Sequence, residues 1–301
     1  MADSIIQNIP DTAFMAAAYR AIESEQKKPL FIDPLAVKLA GTRGRAIIAS
    51  MPPKAMMGGW TVIIRTCVID NLILEAIAQG IDTIINLGAG LDTRPYRMTL
   101  PETLRWFEAD FPHIIDWKNN QLSDELPNCQ LKRKAIDLTD TNELIIFLDE
   151  AGVGSKKILV LTEAVTPYLT EEAVAAIGLE LRTRSIIQYW IVDCFSPSAY
   201  EYRRRSGMSQ AMKHSPFIFE PKDYFGFFSN CGWVPNQIKY LGEEAEHLGR
   251  PATFPWLVKL FFAILSLLMP PEKRRAAKQY AGFVLFEPSP DVSGLNFHKL
   301  E

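Results

Sequence analysis

The stretch Thr83-Ile84-Ile85-Asn86-Leu87-Gly88-Ala89-Gly90-Leu91-Asp92-Thr93-Arg94 decides how the chain is read. Its first five residues are apolar or β-branched around a single Asn, the composition of a buried strand. Gly88 and Gly90 follow at once, and the missing β-carbons let the backbone turn sharply and approach a ligand closely. A Gly-x-Gly pair alone is weak evidence, because turns of no function use it too. The setting narrows the choice. A dinucleotide fingerprint calls for a third glycine at position 93, where Thr93 stands, so nicotinamide cofactors are disfavoured. No GxxxxGKS or GxxxxGKT occurs, which excludes a phosphate-binding P-loop.

Outward from this loop, short runs rich in β-branched and aromatic residues alternate with longer segments: Thr83–Leu87, Arg105–Ala109, Leu131–Ile136, Lys157–Thr162 and Ile186–Val192. Such alternation reads as a parallel sheet with crossover helices. Ile238–Leu241 and Gly282–Glu287 are expected to close it at a hairpin-like edge, giving a doubly wound, mostly parallel, seven-stranded α/β domain of Rossmann-like kind. Apolar residues at helical spacing in Thr12–Gln26 and Thr61–Gln79 place an N-terminal helical cap over residues 1–80, ahead of a cofactor-binding core over 81–195. Residues 196–271 hold Pro197, Pro216, Pro221 and Pro235 and fit neither period well, so they are expected to form an insertion over the active site. Residues 272–301 supply the final strand and tail. No Gly/Ser linker divides the chain, so a single domain is expected.

Of 301 residues 48% are hydrophobic, enough for a sizeable core, and the net charge of -3 comes without a long basic block. Nucleic acid is therefore not an expected partner. Cys67, Cys129, Cys194 and Cys231 stand far apart with no zinc-finger spacing, so neither a disulfide framework nor a metal site is implied. The opening MADSIIQNIP has no positive region followed by a continuous apolar run, and the cytoplasm is the expected compartment.

Acids recur just after the runs. Asp110 ends the second, twenty residues beyond Gly90, where a carboxylate accepts hydrogen bonds from ribose hydroxyls; a helix N-cap before Phe111-Pro112 would look the same. Asp137-Leu138 follow the third run, where the acid suits an adenine amino group and the leucine its ring, or again an N-cap. Glu163 follows the fourth. Carboxylates on one edge suit a positively charged sulfonium cofactor better than a pyrophosphate, which points to S-adenosylmethionine.

Leu87-Gly88-Ala89-Gly90-Leu91-Asp92-Thr93-Arg94 resembles the leucine carboxyl methyltransferase family. Arg65-Thr66 with Asp70 resembles its RT…D helix, and Phe107 to Pro112, with Lys118 beyond, its FEVDxP strand end. Asp137-Leu138 resembles its DL, and Glu163 with Tyr168-Leu169-Thr170-Glu171-Glu172 its EG…YLTEE segment. The resemblance spans roughly positions 12 to 240 and implies a class I methyltransferase fold. It further implies that Arg65 pairs with the cofactor carboxylate, that the Gly88-Ala89-Gly90 backbone lines the methionine portion, and that Glu163 contacts the methionine end. Asp110 would hold the ribose, and Asp137 and Leu138 the adenine. One departure stands out: the glycine usual after the glutamate in bacterial members is Ala164 here.

Methyl transfer from a sulfonium is an in-line displacement, helped by alignment in a water-poor site. The expected acceptor is a carboxylate or hydroxyl of a small metabolite, such as a polyketide or peptide natural product. A protein C-terminal carboxylate and a non-catalytic cofactor-binding role are the alternatives. His113, His214, Tyr168 and Tyr224 are conceivable bases, and none has a distinguishing spacing. Arg20 is a further candidate for a carboxylate, and Tyr168 and His214 are expected near the acceptor. The apolar stretch Trp256–Met269, with Phe261 and Leu265, is expected to cover the acceptor pocket, with peripheral membrane contact as the alternative. Oligomeric state is not legible.

Overall fold

The computed structural model describes residues 9–51, 57–205, 215–252 and 269–290. A seven-stranded sheet runs in the order β3-β2-β1-β4-β5-β7-β6. Its strands are β1 (Thr83–Leu87), β2 (Arg105–Asp110), β3 (Gln130–Ala135), β4 (Ile158–Thr162), β5 (Ile187–Phe195), β6 (Trp233–Tyr240) and β7 (Ala281–Pro288). The first five are parallel, and β7 lies antiparallel between β5 and β6. β1 (TIINL) and β4 (ILVLT) are buried along their whole length. Near-continuous apolar runs are what central parallel strands covered on both faces require.

Helices cover both faces. Ile85, Phe107, Val160, Trp190 and Val192 face one way, onto Leu144, Phe147 and Leu148 of the helix Thr141–Gly152 and Val174, Ile177 and Leu181 of the helix Glu171–Arg182. The alternate residues Ile84, Trp106, Leu159, Leu161 and Ile191 face the other way, onto Ile64, Val68, Leu72 and Ala76 of α3 (Met57–Ala78). The period-2 alternation of the strands thus meets helical stripes on either side. Trp233 on β6 donates from Nε1 to the Gly178 carbonyl at 2.8 Å, and its ring lies 5.5 Å from Trp190, locking the far edge to the first helical face. Ahead of α3, α1 (Ile9–Ser24) packs against α2 (Pro34–Ser50) through small residues, Ala17 and Ala18 against Leu39 and Ala40. Thr12, Ala13 and Ala16 of α1 face the cavity at the strand ends.

Two strands differ from the sequence reading. β5 runs three residues past Val192, because Asp193, Cys194 and Phe195 pair with Phe283, Gly282 and Ala281 of β7. β6 begins at Trp233 rather than Ile238. Pro235 and Asn236 hide its start, yet an edge strand tolerates proline, and the register shifts between Pro235 and Gln237. Within 196–271, expected as an insertion, the described residues therefore include a sheet strand. No helix among the described residues is long and apolar enough to cross a membrane. Residues 206–214 and 253–268, which carry His214, Phe261, Leu265 and most of Trp256–Met269, lie outside the described residues.

Candidate functional site

Strand register assembles the site. Leu87 pairs with Ala109, Asn86 with Leu161, and Leu161 with Ile191. Carried on by one or two residues, those registers put Gly88, Asp110, Glu163 and Asp193 in one row across the carboxyl edge, where open α/β sheets bind ligands. A cavity of about 630 Å³ opens over this row. Its lining includes Arg65, Gly88, Ala89, Gly90, Asp110, Asp137, Leu138, Glu163 and Tyr168, so every described residue expected at the site is brought together.

The glycine loop is tied to β2: the N–H groups of Gly88 and Ala89 donate to the Ala109 carbonyl at 2.8 and 3.0 Å. Gly88 (φ 70°) and Gly90 (φ 48°) both occupy the left-handed region. A β-carbon on Gly88 would run into Val165 Cγ2, and one on Gly90 would come within 3.2 Å of the Ala13 β-carbon. The sequence reading gives these glycines a close approach to a ligand; a side chain added at either meets protein first. Asp110 accepts from Gly90 N at 2.6 Å and Phe111 N at 2.7 Å, one bond to each oxygen. Burial pushes its carboxyl up, against those two donors. It thus holds the loop as well as facing the cavity. Asp137 Oδ1 accepts from Thr139 N at 2.9 Å and Oγ1 at 2.7 Å, fixing the turn that offers Leu138 to the cavity.

Behind the loop stands an ion-pair network. Arg94, 2% exposed, donates to Asp70 at 2.7 Å, Asp92 at 2.8 Å and Glu163 at 2.7 Å. Arg97 takes both oxygens of Asp70 at 2.7 Å, and Arg65 Nε lies 2.8 Å from Glu163. Burial works to raise Asp92 and Glu163, but Arg94 with its neighbours outweighs it and holds both carboxyls below the usual range. Arg20, the weaker candidate, lines the cavity while bonding Asp33 at 2.8 Å and the Leu91 carbonyl at 2.6 Å. It braces the loop from α1.

Past Glu163 the lining turns apolar and aromatic. Tyr168 meets Phe217 edge-on at 5.1 Å, and Phe195 lies 5.6 Å from Phe217 and 5.7 Å from Tyr200. Ala164 has φ 55°, the one non-glycine residue of positive φ among the described residues, at the position where the family resemblance expects glycine. Its N–H donates to Asp193 Oδ2 at 2.7 Å, which pins the turn. Of the conceivable bases, His113 is exposed and outside the lining. Tyr224 packs among Phe219, Phe228 and Phe286, donates to the Asp193 carbonyl at 2.5 Å, and is pushed up by burial, so it is a structural residue. Sequence reading missed Asp193 and the central place of Arg94. The signal for Asp193 was present as one more acid at a run's end, masked by stopping that run at Val192. Among the described residues no cluster of His, Cys, Asp or Glu could hold a metal ion.

The sequence profile described as leucine carboxyl methyltransferase matches residues 13–179. A provisionally named S-adenosyl-L-methionine-dependent methyltransferase of Frankia alni is 28% identical over 268 residues, covering 81% of this chain and 88% of that protein. One of the same description from Streptomyces coelicolor is 29% identical over 273 residues, covering 81% and 89%. Among solved structures, a provisionally named methyltransferase from Thermobifida fusca superposes with a TM-score of 0.58 at 12% identity, over 95% of this chain and 97% of that one. That likeness speaks for the fold alone.

Proposed function

The chain belongs to the leucine carboxyl methyltransferase family and is an S-adenosylmethionine-dependent methyltransferase, and on that premise we propose that it methylates an oxygen, carboxylate or hydroxyl, of a small metabolite. The observation that carries the reading is the aromatic chamber of Tyr168, Phe195, Tyr200 and Phe217 continuing the cavity beyond Glu163. A cavity of about 630 Å³ lies within the roughly 300–1,000 Å³ of small-molecule sites.

The lining suits the cofactor's chemistry. Five acids (Asp92, Asp110, Asp137, Glu163, Asp193) face it against four arginines (Arg20, Arg65, Arg94, Arg97), a balance that favours a cationic ligand. Bound there, the cofactor supplies an electrophilic methyl group on sulfur. In this reading the Gly88-Ala89-Gly90 backbone and Arg65 hold its methionine portion and Glu163 the ammonium end. Asp110 takes the ribose hydroxyls, and Asp137 and Leu138 the adenine. Tyr168 belongs to the acceptor wall, residues 1–80 act as the cap, and residues 196–271, apart from strand β6, as the cover. The aromatic lining past Glu163 favours a small metabolite over a protein terminus, whose free carboxylate calls for a row of donors there.

Labelled methyl from S-adenosylmethionine, incubated with the protein and cell extract, should enter the small-molecule fraction. Mild base separates the linkages, releasing methanol from an ester and leaving an ether intact. Label confined to protein, or no transfer, would overturn the proposal.

A further inference from the structure

Asp193 is a buried carboxyl on the cavity wall that the cofactor roles above leave unused. It lies on β5 beside Glu163 in the row of strand ends, at the point where the acidic lining meets the aromatic chamber. Phe195 lies two residues on along the same face of β5, and Tyr200 follows on the helix Pro197–Arg205. Phe217 packs on Phe195 and on Tyr168, and Tyr280 joins the lining. An acceptor seated against these rings therefore has a carboxylate within the same stretch of wall.

We propose that Asp193 is the catalytic base of this methyltransferase and that its acceptor is a neutral aromatic hydroxyl held in the chamber of Tyr168, Phe195, Tyr200 and Phe217. The inference rests on the site reading above and narrows its acceptor class. As the hydroxyl oxygen forms its bond to the methyl carbon, the carbon–sulfur bond breaks with its electron pair going to sulfur. The hydroxyl proton passes to the Asp193 carboxylate and from there to solvent, so charge and atoms balance.

Three observations favour a phenol-like acceptor. First, Tyr168, Phe217, Phe195 and Tyr200 pack on one another at 5.1 to 5.7 Å into one continuous aromatic wall of the chamber, whose cavity side offers edge and face contacts to a flat ring. Second, burial first of all pushes the Asp193 carboxyl up to about 7, with Arg65 on α3 and the Ala164 N–H lowering it and Glu163 raising it; Cys194 and Tyr224, on the other side of β5, stay protonated. A base near 7 is about three units short of a phenol near 10, but about nine short of a water-like hydroxyl near 15.7, so proton transfer is within reach only for the first. Third, a carboxylate acceptor would place its charge against an ionised Asp193, with Glu163 adding to the repulsion.

Because the raised group is active as the base form, kcat with a phenol should climb as pH rises through about 7 and then level off. Asp193→Asn keeps an oxygen for the Ala164 N–H, and should lower kcat about 10²- to 10⁴-fold with KM nearly unchanged, abolishing that rise. A readout apart from turnover uses protein saturated with S-adenosylhomocysteine. At pH 8 wild type should bind 2-naphthol at least tenfold more tightly than 2-naphthoate, and Asp193→Asn should shrink the preference at least fivefold by removing the opposing charge. Unaltered S-adenosylhomocysteine affinity and melting behaviour would show the variant intact. Preference for the naphthoate in wild type, an unchanged preference or pH profile in the variant, or transfer only to acids or amines would overturn the assignment. Absence of S-adenosylhomocysteine binding in wild type would instead overturn the underlying site reading, and this inference with it.

Discussion

Replacing Arg94 by Met should lower unfolding free energy by about 3–5 kcal/mol, the usual loss when one member of a buried ion-pair cluster is removed. Arg94 is fully enclosed and meets Asp70, Asp92 and Glu163 at once, so the substitution leaves three acids short of their shared cation. Arg97 still serves Asp70 and Arg65 still serves Glu163, but among the described residues Asp92 then keeps only Asn86 Nδ2, at 2.9 Å, and the backbone N–H of position 94 as direct partners. The pH dependence follows from the two depressed carboxyls. Their stabilising effect is present above their unfolded values, 3.8 and 4.5, and is lost as pH falls through the lower folded ones. The gap between wild type and variant should therefore be widest near neutrality and shrink below about pH 4. Denaturant unfolding at about pH 7 and about pH 2 tests this; a deficit under about 1 kcal/mol at the higher pH, or one that ignores pH, would count against the network.

Gly88→Ala should cost about 2–6 kcal/mol. A non-glycine residue held at positive φ costs about 1–3 kcal/mol, and forcing a methyl into a packed neighbour about 1–3 more. The neighbour is Val165, on the turn after Glu163, so strain at Gly88 should also shift that turn and weaken cofactor binding. The double variant Gly88→Ala, Val165→Ala separates the two contributions. It should recover the collision part and leave the backbone part, because Val165 Cβ would remain at an ordinary 3.5 Å. Full stability in Gly88→Ala alone would mean that neither the turn nor the contact is as described.

The central strands were legible because a parallel strand buried on both faces must be apolar nearly throughout, and Thr83–Leu87 and Ile158–Thr162 are. The glycine loop and the acids after it were legible for a related reason, since local residue type carries them. What was hidden depends on neighbours far along the chain. Arg94 could be read as a motif letter, but its burial follows from Asp70 and Glu163 arriving from 24 residues before and 69 residues after it. Asp193 becomes a site residue only when strand order sets β5 beside β4 and β7 extends the pairing through Phe195. What a Gly88 β-carbon would meet likewise depends on the turn that places Val165 there. His214, Phe261 and Leu265 remain proposals for the acceptor side, resting on sequence alone.

The cofactor site itself stands or falls on Asp110, the acid that both fixes the Gly90 N–H and faces the cavity. Titration of S-adenosylhomocysteine into wild type, Asp110→Asn and Asp110→Ala measures its worth directly. The account predicts an affinity about 10- to 150-fold weaker for the alanine variant, equivalent to about 1.5–3 kcal/mol for a hydrogen bond to a charged group, with the asparagine variant between and all three folded. Equal affinity in wild type and Asp110→Ala would contradict it.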